Sequence, residues 1–240
     1  MARFFIEGTP GTEYTLSGED GRHIARSLRM RVGETLTLCD GCGQDFTCEI
    51  TAISGDDVTV SVLHQQVNPA EPTLQVTVYQ GLPKSDKMDW IAQKIVESGA
   101  VRLVPVMTTR CISRPDGKAA EKKVQRWQKI AEEAAKQSGR GIIPQVAPLT
   151  EFAKAVEEAS QQGAVFFFYE GGGDSLKTLL QEPAQTVSIF IGPEGGFAES
   201  EVELAKAHGA KIASLGPRIF RTETAPIAAL SAMMALTDNF

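Results

Sequence analysis

Three glycine-bearing segments in the C-terminal half of the chain have the residue types needed to hold a ligand. They are residues 170–173 (E-G-G-G), 192–196 (G-P-E-G-G) and 216–221 (G-P-R-I-F-R). Each directly follows a short apolar run: A-V-F-F-F-Y, T-V-S-I-F-I and K-I-A-S-L. Glycine lets backbone approach a ligand closely, and proline stiffens the loop that carries it. Loops of this kind can hold a purine and its ribose mainly through main-chain N–H and C=O groups. Ordinary strand-to-helix turns also favour glycine, but three such loops in one half of the chain point to a shared site. Ligands of open α/β sheets sit outside the carboxyl ends of the strands.

The familiar nucleotide and hydrolase motifs fail. G-x-x-x-x-G-K-[ST] is absent, which removes a P-loop. Gly171-Gly172-Gly173 follows a strand, but Leu176 occupies the last glycine position of a dinucleotide fingerprint. Neither G-x-S-x-G nor H-E-x-x-H occurs. His23, His64 and His208 lie far apart and form no catalytic or metal pattern. His208 precedes Gly209 at a helix end, where the dipole favours a cation. Cys39 and Cys42 form C-D-G-C, which could be half a zinc site, yet no second pair stands at metal spacing. Asp40-Gly41 reads better as a hairpin turn between the alternating runs 35–38 and 46–50, so no metal is expected. With Cys48 and Cys111 the cysteines number 4 in 240 residues, too sparse for a disulfide framework.

The net charge of −6 argues against a generally basic nucleic-acid binder, but the charge is uneven. Residues 1–72 carry 5 Arg, no Lys and 11 acids, whereas 73–140 carry 13 basic against 7 acidic residues. Residues 141–240 carry 6 basic against 12 acidic. A phosphate-contacting face needs a local basic excess of the kind the middle segment has. Within the acidic first segment, R-H-I-A-R-S-L-R-M-R holds Arg22, Arg26, Arg29 and Arg31 with no acid among them. Arginine is a fixed, always charged fork suited to phosphate, so RNA contact is favoured over a merely solvated face.

The elements that must position these residues fall into two textures. Residues 4–6, 35–39, 46–53 and 57–63 read as short strands, interrupted by one helical patch at 21–30, the signature of a small β-barrel. Asn68-Pro69-Ala70-Glu71-Pro72 is the best boundary, since two prolines break any periodic element. Beyond it strands (74–79, 102–106, 164–169, 187–191, 211–215) alternate with helices (87–98, 119–138, 150–161, 176–180, 199–208, 225–236). Thr150 is the expected cap of the third of these helices. Such alternation means an α/β domain, a mostly parallel sheet covered by helices. The first residues, M-A-R-F-F-I-E-G, lack the pattern of a signal peptide. No stretch approaches the roughly 20 apolar residues that span a bilayer, so a cytoplasmic protein is expected.

The loops carry a resemblance as well. I-G-P-E-G-G-F and L-G-P-R-I-F-R-T-E-T-A resemble the signature loops of the RsmE-type family of 16S ribosomal RNA uridine-N3 methyltransferases, in the SPOUT superfamily. R-W-Q-K-I-A-E-E-A-A-K-Q-S-G-R (126–140), K-S-D-K-M-D-W-I-A-Q-K-I-V-E-S-G (84–99) and H-I-A-R-S-L-R-M-R-V-G-E (23–34) extend the match over nearly the whole chain. The resemblance implies a PUA-like RNA-binding β-barrel at 1–70. It implies a SPOUT-type α/β methyltransferase domain at 73–240, its C-terminal part threaded as a trefoil knot. It further implies a homodimer acting on 16S rRNA or the small ribosomal subunit, without metal or membrane. S-adenosyl-L-methionine would be held by Glu170, Gly171, Ile191, Gly192, Pro193, Glu194, Gly195, Gly196, Leu215, Gly216, Ile219, Phe220, Arg221, Thr222, Thr224 and Ala225. RNA would be gripped by Arg3, Arg22, Arg26, Arg29, Arg31, Lys84, Lys87, Lys94, Arg110 and Arg140. The sequence departs from the family at Thr109-Arg110, where Glu-Arg is expected, and at Ala198, where a Ser or Thr cap is expected.

Methyl transfer to uracil N3 needs a base for the departing proton, or a cation for the anion that forms. Arg221 and Glu223 are the candidates, with Glu194 as a competing acid. The competing roles are structural: Glu223 as a cap of the last helix, Arg221 as a partner of the cofactor's carboxylate. Two other readings stand beside this one. One is a SPOUT enzyme acting on another RNA or base atom, and the other is an RNA-binding module without catalysis. Intact I-G-P-E-G-G and R-T-E-T-A loops argue against the last.

Overall fold

Alternating apolar and polar residues build the first part of the molecule. The structure, a computed structural model, describes residues 2–181 and 184–240. Strands β1 (Arg3–Phe5), β2 (Glu13–Leu16), β3 (Thr35–Cys39), β4 (Gln44–Ser54) and β5 (Asp57–Val67) form one sheet in the order β1-β3-β4-β5-β2. Helix α1 (Gly18–Arg22) lies between β2 and β3. Inward-facing Leu36, Leu38, Ile50, Val58 and Val60 are fully buried and make a core with Phe4, Leu16 and Ile24. The β3–β4 turn is the expected one: the Asp40 carboxylate accepts from the N–H groups of Cys42 and Gln44.

The helical patch expected at 21–30 has a different form. α1 runs into a wider π turn over His23–Leu28, which ends at Arg29 in the left-handed conformation at φ 53°. There the Arg29 N–H donates to the Ile24 carbonyl, five residues back. The π turn buries Ile24 and leaves Arg22, Arg26 and Arg29 exposed.

The second part is a parallel sheet. Its elements in order are β6 (Gln75–Gly81), α2 (Lys87–Glu97), β7 (Arg102–Met107), α3 (Gly117–Ser138), β8 (Gln145–Val146), β9 (Thr150–Glu151) and α4 (Phe152–Ser160). They continue with β10 (Ala164–Phe168), β11 (Asp174–Ser175), α5 (Leu176–Leu179), β12 (Thr186–Ile191), α6 (Glu199–Ala207), β13 (Lys211–Ser214) and α7 (Ala225–Leu236). The strand order is β11-β13-β10-β12-β6-β7-β8, with β9 also on β7, and every pairing is parallel. Near-continuous apolar strands such as V-F-F-F and T-V-S-I-F-I are what a sheet buried on both faces requires. Tyr79 stacks on Phe190 with ring centroids 4.5 Å apart, and Phe167 meets Phe197 at 4.2 Å. These aromatic rings give the central strands a dense floor.

Two expectations change, and between them the missing cap at Ala198 is as expected. Thr150 does not cap α4. It lies in β9 beside Val106, its hydroxyl donates to the Pro148 carbonyl, and Glu151 takes the cap position without a side-chain bond. Ala198 cannot cap α6, but Glu201 supplies the other half of a capping box by accepting the Ala198 N–H at 2.8 Å. Its second oxygen accepts the Thr109 N–H at 2.8 Å, at the position where the sequence departs from the expected Glu-Arg.

The second change concerns the units. The chain divides into Met1–Glu71 with Ala135–Ile143, and Pro72–Ala134 with Pro144–Phe240. The stretch Ala135–Ile143, expected in the second domain, therefore belongs with the first. Polar groups hold it there: Glu71 accepts from Arg140, Gly141 N–H and Ile142 N–H, and the Asn68 amide donates to Gly139 O and Asp45. Among the described residues no helix is long and apolar enough to cross a membrane.

Candidate active site

The carboxyl ends of β10, β12 and β13 deliver the three glycine loops to one cleft of about 1030 Å³. Its lining takes in Glu170 and Gly171 after β10, Ile191 to Gly196 after β12, and Leu215, Gly216, Ile219, Phe220, Arg221, Thr222 and Ala225 around the last loop. Every residue expected to hold the cofactor is there except Thr224, which is not part of the wall. At Thr224 the chain has already turned into α7: its N–H donates to Arg221 O and its carbonyl accepts from Ala228 N–H. The sequence reading missed Phe168, Tyr169, Ala213 and Ser214, all of which line the cleft. They flank the glycines, and the apolar run leading into each loop was the available signal.

Two residues of β6 lock the loops together. Gln80 is fully buried, and its amide N–H₂ donates to Thr222 Oγ1 at 3.0 Å and to Gly81 O at 3.0 Å. Thr222 in turn donates to Gly192 O at 2.8 Å. One amide thus joins the end of β6 to two of the glycine loops. Gly81 lets this happen, because a Cβ there would lie 2.6 Å from Pro193 Cδ and 2.8 Å from Pro193 N. Neither residue was expected. For Gly81 the signal was V-Y-Q-G-L-P at 78–83, an apolar run that ends in Gly-Leu-Pro; Gln80 had none. Gly196 shows the other use of glycine, at φ +64° with Glu170 Oε1 2.5 Å from where its Cβ would be.

An ion cluster closes the rim. The Lys87 ammonium lies 3.0 Å from Glu194 Oε1 and 3.0 Å from Glu223 Oε2. The Glu223 contact is an ion pair not aligned as a hydrogen bond. The Lys84 N–H also donates to the Glu194 carboxylate. The Glu194 carboxylate, and after it that of Glu223, favour the charged ammonium and raise the Lys87 pKa above the usual lysine value. Burial alone would raise both carboxyls, but backbone N–H groups and Lys87 overcome it and hold them below the usual range. All three groups are therefore charged at neutral pH. Glu223 itself does not line the cleft, whereas Arg221 does.

The residues expected to grip RNA fare unequally. Arg3 is a correction: its guanidinium is engaged by buried Asp45 at 2.6 and 2.9 Å and bonds Cys39 Sγ, so it is a core ion pair. Arg140 is a second correction, 2% exposed and bidentate to Glu71. Lys87 is committed to the rim cluster, Lys94 to Glu97 and the Trp90 face, and Arg110 to Gly195 O at 2.8 Å. Arg22 and Arg26 both reach Asp56 from exposed positions. Arg29, Arg31 and Lys84 are exposed. In the C-D-G-C stretch Cys39 is buried and Cys42 exposed, on either side of the Asp40 turn.

A strand-end cleft on a parallel sheet fits many α/β enzymes, and the matched families narrow it to a class, the RNA methyltransferases. Residues 69–234 match the family described as RNA methyltransferase domain, and residues 16–63 match the RNA methyltransferase PUA domain. A relative from Bacillus subtilis, ribosomal RNA small subunit methyltransferase E, is 36% identical over 256 aligned residues, covering 99% of this chain and 98% of the relative. The namesake from Mycobacterium bovis is 31% identical over 99% of this chain and 92% of its own length. A solved structure of the Neisseria gonorrhoeae enzyme of that name, bound to S-adenosyl methionine, superposes with a TM-score of 0.87 at 33% identity, covering 98% of each chain. The chain belongs to the ribosomal RNA small subunit methyltransferase E family.

Proposed function

We infer that the protein transfers a methyl group from S-adenosyl-L-methionine to N3 of a uridine in 16S ribosomal RNA. The observation that carries this reading is the cleft, in which three backbone-rich loops converge at the strand ends. The glycine-rich loops at Gly192–Gly196 and after β13 bring backbone to the cleft wall, which suits the adenosine, and Gly196 leaves room beside the Glu170 carboxylate. The bound cofactor supplies an activated methyl group on a sulfonium, so the protein's own work is mainly to position both reactants. Arg221, exposed on the cleft wall, is placed to stabilise the negative charge that grows on uracil as the N3 proton leaves. Glu223 stands behind it, its low pKa making it a weak proton acceptor.

Calorimetric titration with S-adenosyl-L-methionine tests the cleft, and nucleoside analysis of rRNA with and without the gene tests the product. Unchanged N3-methyluridine would sink the assignment. For the roles, Arg221→Ala should cut methyl transfer at least about a hundredfold with cofactor affinity retained; full activity removes Arg221. Glu223→Gln should have a smaller effect.

In this reading the C-terminal part is threaded as a trefoil knot, supported by the insertion of β13 between β11 and β10 rather than at an edge. The enzyme works in the cytoplasm as a homodimer. The support is α7, apolar nearly all round, with Leu236 (49%) and the following Phe240 (84%) left exposed. The first unit takes RNA through Arg22, Arg26, Arg29 and Arg31, and the methyltransferase unit adds Lys84.

A further inference from the structure

We propose that Lys87 is a positioning residue, which draws the loop after β12 and the turn before α7 onto one cation and so keeps the cofactor cleft preformed. The proposal rests on the reading of that cleft as the methyl donor's site.

Lys87 is the first residue of the 11-residue helix α2, where the helix dipole disfavours a cation. Its place there is offset by two carboxylates from elsewhere in the chain, Glu194 and Glu223, each 3.0 Å away. Those acids sit on different segments: Glu194 lines the cleft within Gly192–Gly196, and Glu223 follows Thr222, whose hydroxyl donates to Gly192 O. Without the ammonium, two ionised carboxylates would face each other across the seam that Gln80 and Thr222 hold together. Like charges repel, and one of the pair then takes up a proton more readily.

The groups around the cluster do not replace the missing charge. Arg221 acts on Glu223 from two residues away but points its exposed side chain to the cleft wall. Lys84 offers Glu194 a backbone N–H. Asp86 at the N-cap of α2 and Asp89 in its first turn are acids, and Glu170 lies against Gly196.

The test is a titration with S-adenosyl-L-methionine at pH 5 and pH 7, each variant being expressed relative to wild type so that the ligand's own ionisation cancels. Lys87→Met should weaken binding about tenfold at pH 7, the worth of one partly buried ion pair, and the deficit should shrink at pH 5 as a carboxylate protonates. Lys87→Arg should keep most of the affinity, and Glu223→Gln, outside the cleft wall, added to Lys87→Met should restore most of it at pH 7. An unchanged affinity in Lys87→Met, or a deficit equal at both pH values and not relieved by Glu223→Gln, would overturn the proposal. Hydrogen exchange without ligand gives a separate arm. The Gly196 N–H, bonded to Pro193 O at 2.9 Å, should exchange faster in Lys87→Met and recover in the double variant. Equal exchange in all three overturns the positioning role, whereas a wild-type chain that takes up no donor overturns the cleft reading on which it rests.

Discussion

Gln80 shows how much of the site depends on one side chain that the chemistry never uses. Its amide is buried and supplies the donors for Thr222 Oγ1 and Gly81 O. Gln80→Leu should leave those acceptors short of a donor and cost about 1–3 kcal/mol in a urea titration, with weaker cofactor binding. Gln80→Glu should be worse than Leu, because a carboxylate there would set acceptor against acceptor. Gln80 was illegible in the sequence because a glutamine in a strand carries no motif; its importance exists only once Gly192 and Thr222, more than a hundred residues on, are folded against it. Arg3 and Arg140 failed as RNA contacts for the opposite reason. Arginine type and local charge were legible, but partners 42 and 69 residues distant were not. Asp45 adds a pH test at this scale. Despite its burial, hydrogen bonds from Arg3 and Asn68 hold its carboxyl below the usual range. A carboxyl depressed on folding stabilises the fold above its unfolded pKa, and that stability is lost as pH falls through the folded value. Asp45→Asn should therefore cost about 3 kcal/mol at pH 7, in keeping with a broken buried pair, and flatten the loss of stability between pH 5 and pH 3.

At the scale of elements, periodicity and turn chemistry located the strands and helices, because those signals are local. The strand ends beneath the three glycine loops were legible for that reason, and so was the existence of a cleft above them. Where a long-range partner decides, the local signal misled. Thr150 has the type of a helix cap, yet pairing with Val106 draws it into a strand. Ala198 has the wrong type, yet α6 begins there because Glu201 is both cap and anchor, bonding the N–H groups of Ala198 and Thr109. Glu201→Ala should remove both acceptors from a residue only 5% exposed. The expected cost is about 2 kcal/mol, the upper end for a cap, read by thermal or urea unfolding. Glu201→Gln keeps an acceptor and should recover about half.

For the whole molecule, the net charge of −6 conceals how RNA is to be approached. The π turn at His23–Leu28 displays Arg22, Arg26 and Arg29 outward while burying Ile24, so the basic cluster legible in the sequence is also the one the fold exposes. Two of these guanidinium groups are held by Asp56, at 3.3 Å for Arg22 and 2.7 Å for Arg26, with side chains 62% and 68% exposed. A phosphate must compete with that carboxylate for them. A cation that neutralises a phosphate releases counterions, so log Kd for RNA should rise with log salt, with a slope of about 0.7 to 0.9 for every phosphate neutralised. Arg22→Ala with Arg26→Ala should thus weaken binding to a 16S rRNA fragment and make the salt dependence shallower by the share of both arginines. Asp56→Asn should act the other way, tightening binding at low salt by freeing both arginines while the number of neutralised phosphates, and with it the slope, stays as in wild type. A filter-binding series between about 50 and 200 mM salt separates the two outcomes. If Asp56→Asn instead weakens binding, Asp56 orients the arginines for RNA rather than competing with it, and the carboxylate becomes part of the interface.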